Sequence, residues 1–188
     1  MTWTSRALAG LAAAAALAVA CGGSSPSSSS STKSSPTPSK VTLITGTIDA
    51  CSLVKASDAS TATGITMTAL ASGSGGLCIY SGQTDTTSAS VFVYAQAYPD
   101  TTTADAISPD QMAALLNGQV GIAHAKPLTG IGDKAVEYTT TSSSSTGSGI
   151  VIFVFKANVV LFIAVSPTTD TARVEALARV AVANLPQS

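Results

Sequence analysis

Three cysteines, one histidine and ten carboxylates are the residues of this 188-residue chain from which chemistry would have to start. His124 stands between Ile122 and Pro127, and its bland role is a packed or solvated imidazole. A Ser-His-Asp arrangement needs a nucleophile on a sharp turn, and no G-x-S-x-G elbow occurs anywhere. Ser74, in Ser72-Gly73-Ser74-Gly75-Gly76, reads as a flexible loop, and that loop lacks the Lys-Ser/Thr of a phosphate cradle. Gly130-Ile131-Gly132 precedes a strand, so it offers no helix terminus to an anion, and its glycines are expected to take positive φ before Asp133. Asp100, Asp105 and Asp110 recur at intervals of five without the spacing of a calcium loop, and read as loop and helix-start charges. Phe92, Tyr94, Tyr98 and Tyr138 could line a ligand cleft, with ordinary sheet packing as the alternative. The expectation is no catalytic residue, no cofactor site and no metal site.

Cys21 belongs to a different kind of chemistry. One positive charge, Arg6, precedes an apolar run from Ala7 to Ala20, too short to cross a bilayer as a stable helix. Leu17-Ala18-Val19-Ala20-Cys21 resembles the lipobox of bacterial lipoproteins, although leucine commonly stands three residues before the cysteine and here that place is Ala18. The resemblance implies cleavage after residue 20 and a diacylglyceryl group on Cys21, an anchor that persists because it carries two chains. An ordinary signal peptide with a free Cys21 thiol is the competing reading. Residues 22–40, GGSSPSSSSSTKSSPTPSK, have nothing apolar to bury and form a linker whose coil spans roughly 25 Å. The expected division is a signal peptide over 1–20, lipidated cysteine and disordered linker over 21–47, and one domain over 48–188.

With Cys21 acylated, Cys51 and Cys78 remain in an oxidising compartment, where pairing is expected. The other outcomes are two buried thiols or a metal pair, and two thiols plus His124 do not complete a tetrahedral set.

The surrounding elements follow from periodicity. A weak, Ser/Thr-rich helix is expected between Ile48 and Gly64, with Gly64 as its C-terminal cap. Strands are expected over Leu77–Ser81 and Thr87–Tyr98, the latter with Val91, Val93, Ala95 and Ala97 on one face and Phe92, Tyr94, Gln96 and Tyr98 on the other. Ser108-Pro109-Asp110-Gln111 starts a helix whose buried stripe is expected to be Met112, Leu115 and Leu116. Asp133–Thr141, Gly149–Phe155 and Val159–Val165 read as strands, the last two apolar on both faces and hence central. A final helix starts near Thr168–Asp170 and buries Val174, Leu177, Ala178, Ala181 and Leu185. The sum is an α+β domain: an antiparallel sheet against a C-terminal helix and two shorter ones, with one disulfide.

The order Cys51-Ser52-Leu53-Val54, a helix ending at Gly64, then Cys78-Ile79-Tyr80 resembles the DUF3558 family of actinobacterial lipoproteins. Gly130-Ile131-Gly132-Asp133-Lys134-Ala135 is similar to that family's Gly-hydrophobic-Gly-Asp-x-Ala element, while Tyr80 departs from its frequent tryptophan. The likeness spans most of residues 49–186. It implies the Cys51–Cys78 disulfide and a small α+β domain related to the PsbP/Mog1-like architecture, and it implies no reaction.

Without Arg6 the chain carries eight basic against ten acidic side chains, a formal charge of −2 with no basic patch, which argues against nucleic acid. The expected function is a non-enzymatic binding module on the outer face of the cytoplasmic membrane, with an unknown protein or small-molecule partner. An envelope hydrolase without a visible motif and a carrier of an apolar or lipid ligand are the alternatives. A surface groove over a solid core would favour the first, converging polar groups in a pocket the second, and a dry internal cavity the third.

Overall fold

The structure is a computed structural model, and it describes residues 42–73, 76–117, 121–141 and 147–186. Seven antiparallel strands form one sheet: β1 (Thr68–Gly73), β2 (Leu77–Gln83), β3 (Ser88–Ala97), β4 (Gly121–Leu128), β5 (Lys134–Thr141), β6 (Gly149–Lys156) and β7 (Val159–Ser166). Their spatial order is β1-β2-β3-β7-β6-β5-β4. The tight β6–β7 hairpin therefore sits at the centre, flanked by the two sheet halves. The α+β class, the antiparallel sheet and the C-terminal helix agree with the sequence.

One face of the sheet carries α1 (Ala50–Leu53), α2 (Ala56–Thr63) and α5 (Thr171–Ala183). Val91, Val93, Ile152, Ile163 and Leu161 from the strands meet Leu53, Ala59, Val174, Leu177 and Ala178 in the main core. The helix expected before Gly64 is two helices, because Val54 turns extended at φ −134° and ψ 133° and puts its side chain into that core. Asp58 holds the start of α2 by accepting from the Lys55 N–H at 2.9 Å. Gly64 closes α2 in the left-handed conformation, φ 73°, as its place in the sequence predicts. Asp170 caps α5 by accepting from the Arg173 N–H.

The opposite face carries α3 (Thr101–Asp105) and α4 (Pro109–Asn117), over a second, smaller core of Tyr138, Val151, Phe153, Phe155 and Val160. The Ser108 hydroxyl accepts from the Gln111 N–H at 3.3 Å, so α4 begins as the sequence indicates. Its buried stripe differs from expectation. Pro109 and Ala113 are buried, Met112 is half-buried, and Leu115 is 78 % exposed. The Leu116 side chain lies outside the described residues.

The packed domain also starts earlier than Ile48. Ile44 is buried, and its N–H and C=O are both bonded by the Asn158 side-chain amide at 2.9 and 2.8 Å. The last residues before Ile48 are thus a strap on the core rather than linker, in line with a compact unit running from Ser39 to Ser188.

Candidate functional site

The cysteine pair is joined. Cys51, on α1, and Cys78, on β2, form a disulfide with Cα atoms 5.1 Å apart, inside the range that disulfide geometry requires. Tyr80, two residues further along β2 and on the same face, donates its hydroxyl to the Val54 carbonyl. Asn184 donates to the Leu53 carbonyl at 3.0 Å from beyond α5. These groups make the α1 region a fixed part of the core rather than a working site. Cys21 and Ser74 lie outside the described residues, as does the His124 side chain, although His124 itself is on β4 at the irregularity between Ala123 and Ala125.

The three aspartates do not converge. Asp100 caps α3 by accepting from the Thr103 N–H at 2.7 Å, and this bond holds its carboxyl below the usual range. Asp110 accepts from the Tyr138 hydroxyl at 2.5 Å and ties α4 to β5. Asp105 ends α3. Among the described residues no group of three His, Cys, Asp or Glu side chains could hold a metal ion.

The Gly130–Asp133 element is structural. Gly130 and Gly132 have φ of 73° and 61°, and a Cβ on Gly132 would meet the Phe155 carbonyl oxygen at 2.6 Å. Asp133 accepts from the Lys156 ammonium at 2.7 Å and the Ala157 N–H at 2.8 Å, pinning the β6–β7 turn where Ala157 itself sits at φ 50°. Burial pushes the Asp133 carboxyl upward, and these two donors outweigh it, so the group lies below its ordinary value.

The aromatic residues divide. Tyr138 packs edge-on to Phe153, with ring centroids 5.8 Å apart, under α4. Burial, followed by the bond to Asp110, raises its hydroxyl pKa. Phe92 and Tyr94 instead line an open cleft.

That cleft follows from the register. One cross-strand row on the α4 face runs Leu70, Ile79, Phe92, Ala164, Val151, Tyr138, and the next runs Leu77, Tyr94, Phe162, Phe153, Val136. At the β5–β6 end of these rows Tyr138, Val151 and Phe153 are buried beneath the helices. At the β1–β3 end Leu70, Leu77 and Phe92 are 49, 36 and 37 % exposed, because α3 and α4 stop short of them. The flank of α4 supplies Met112 and Leu115. Together with Leu77, Phe92, Tyr94 and Phe162 they enclose 330 Å³ on the molecule's surface, at the small end of ligand-site volumes. The cleft bears no charged residue, and the Tyr94 hydroxyl is turned to the Gln96 side-chain oxygen at 2.7 Å, which also accepts from Tyr98 at 3.3 Å. Burial pushes the Tyr98 hydroxyl pKa up, with Tyr94 adding to it.

Sequence reasoning missed Leu115 and Leu70 as exposed residues, since an apolar position in a helix or strand pattern carries no mark of which side is covered. A second concavity, of 510 Å³, is lined by hydroxyl and amide residues including Thr66, Ser81, Gln83 and Ser88, with no charged group. Among the described residues no helix is long and apolar enough to cross a membrane. No protein-family model, no curated protein and no solved structure matches the chain.

Proposed function

We propose that this chain is an exported lipoprotein of the bacterial cell envelope, of the DUF3558 kind, held on the outer face of the cytoplasmic membrane through Cys21. It works there as a non-enzymatic interaction module. The observation that carries the second statement is the clustering of exposed large side chains. Leu70, Leu77 and Phe92 lie on one half of one sheet face and Leu115 on the helix beside it, although scattered exposure would be ordinary. A lining of carbon with its few polar atoms already paired suits recognition of an apolar surface, whereas acid–base chemistry needs titratable groups aimed into the cleft. The cleft is open and lies over a filled core, which favours a docking module over a carrier that encloses its cargo. The apolar run before Cys21, the Ser/Pro linker and the disulfide support export.

Mass spectrometry of the native protein should find a diacylglyceryl-modified peptide beginning at Cys21. Cys21→Ala should release the folded domain from the membrane fraction with its melting temperature unchanged. An unmodified N-terminal peptide that retains residues 1–20 overturns the anchor.

A further inference from the structure

We infer that the hydroxyl-lined concavity at the β2–β3 turn end of the sheet binds a neutral oligosaccharide, an inference that goes beyond the docking reading and does not depend on the tether. The register builds the site. Thr68 and Ser81 stand side by side across β1 and β2, Ser90 continues their row on β3, and Gln83 and Ser88 face each other one row further on. Thr66, Thr68, Ser81, Gln83 and Ser88 line a volume of 510 Å³, within the range of ligand sites. What sets them apart from other hydroxyls of the chain is that they are uncommitted. Ser60, Thr61 and Thr63 on α2 each donate to a carbonyl one turn back, and Thr84 closes the β2–β3 turn against Thr87. Among the described residues, the five lining side chains bond no protein group. The wall beside them is fixed. Met67 is buried and donates its N–H to the Ser60 hydroxyl at 2.9 Å, while Gly82 leaves room for the Thr66 carbonyl oxygen, which a Cβ there would strike.

The chemistry of the lining selects the ligand. Asp85 is the one charged residue between Asp58 and Asp100 in the sequence, and it lies in the turn outside the lining, so an ion finds no counter-charge. A hydroxyl both donates and accepts, and so does a side-chain amide, which matches sugar hydroxyls group for group. An apolar chain would strip water from these groups and return nothing. Phe92, its ring partly exposed, lies on the same face two residues along β3 from Ser90, about 7 Å from the hydroxyl row. The C–H face of a sugar ring is apolar and covers such an aromatic face, so one oligosaccharide meets both surfaces. Each polar group only exchanges water for ligand, so binding is weak, on the order of 1 mM.

Amide-shift titration of the full-length protein, held in a sugar-free zwitterionic detergent, reads the site directly. The probes are maltotriose, cellotriose and tri-N-acetylchitotriose, with an end-capped alanine tripeptide beside them. Side chains that donate and accept alike place little demand on linkage, so at least one of the three sugars should shift the amides of Thr68, Ser81, Gln83 and Ser88 and leave α5 unmoved. Thr68→Val combined with Gln83→Ala should weaken that binding roughly tenfold, as two lost hydrogen bonds would. Phe92→Leu, which keeps carbon and removes the ring face, should weaken it about threefold. Melting temperature reads folding separately, and Thr68 and Gln83 are exposed and unbonded, so their variant carries the comparison should Phe92→Leu unfold. Three results overturn the inference: no shift with any sugar at about 20 mM, a concentration that saturates a millimolar site, shifts confined to other parts of the molecule, or unchanged affinity in a folded variant. A tripeptide that shifts the same amides more strongly than the sugars also overturns it, by giving this corner to a polypeptide.

Discussion

Glu137 is the residue whose environment and chemistry disagree most. It lies on the β5 face that packs under α5, is 3 % exposed, and one of its carboxylate oxygens has no hydrogen-bond partner. Lys126, directly across on β4, brings its ammonium to 3.8 Å, and the same ammonium is 3.4 Å from Glu175 on α5. Burial raises the Glu137 pKa, the Lys126 charge opposes this, and Glu175 adds to it, so the folded-state value lies above the unfolded one. A raised folded pKa means that the protonated acid is the better-tolerated form. Its contribution to stability is complete below the unfolded value of about 4.3 and is lost as pH rises through the folded value. Denaturant midpoints should thus increase on mild acidification from neutral pH until Asp100 and Asp133, whose values are lowered, begin to protonate and reverse the trend. Glu137→Gln should raise stability at pH 7 by about 1 kcal/mol, on the scale of one unsatisfied buried group, and should abolish the acid gain. A variant that is less stable at pH 7 and keeps the gain would show that Lys126 compensates the buried charge fully. Nothing in Val136-Glu137-Tyr138 marks this position, since alternation separates the two faces of a strand without saying which is sealed.

Among the elements, those with strong periodicity or a clear cap were readable from sequence, and those made by context were not. β6, β7 and α5 are apolar in patterns that admit one reading, and each forms where that pattern places it. β4 was not anticipated, because Lys126 and Pro127 interrupt it and a bulge follows Ala123; a proline is tolerated there because the strand is at the sheet edge. β1 is short, and its one large residue, Leu70, faces outward. α3 is built on Thr101, Thr102 and Thr103, poor helix formers, and exists through the Asp100 cap and the burial of Ala104. The Cys51–Cys78 disulfide was legible in the sequence, but the contacts that reinforce it were not. Leu53 and Val54 are fully buried, and Tyr80 and Asn184 both bond this segment, so the α1–β2 junction has ties besides the bridge. The cross-link spans 27 residues of sequence, and its loss should cost about 3–4 kcal/mol by the chain-entropy model. Cys51→Ser should therefore lower the midpoint of unfolding by that order, with hydrogen exchange rising over residues 49–80 and little changed in the β6–β7 hairpin. Uniform loss of protection across both regions would mean that the bridge supports the whole sheet.

At the scale of the molecule, the central hairpin links the two cores, the cleft and the point where the chain enters the domain. β6 and β7 are covered on one face by α5 and on the other by α3 and α4, and the turn between them is secured twice. Asp133 holds it from outside, and Asn158 reaches inward. The Asn158 amide bonds both backbone groups of Ile44 and donates to the Tyr98 carbonyl at 2.5 Å, while the Asn158 carbonyl accepts from the Tyr98 N–H at 2.8 Å. One side chain thus joins the entering strap, the end of β3 and the central turn. Asn158→Ala takes away the side-chain partner of two buried backbone groups of Ile44 and of the part-buried Tyr98 carbonyl, and should cost about 2 kcal/mol. The loss should be local in its first expression. Amide exchange at residues 42–48 should approach the unprotected rate, and a protease should cut before Ile48, while exchange within β6 and β7 stays slow. If residues 42–48 remain protected in Asn158→Ala, burial of Ile44 and Ile48 alone fixes the strap. The domain would then keep its entry point without the amide, and the amide's place in the turn would serve the β3–β7 junction only.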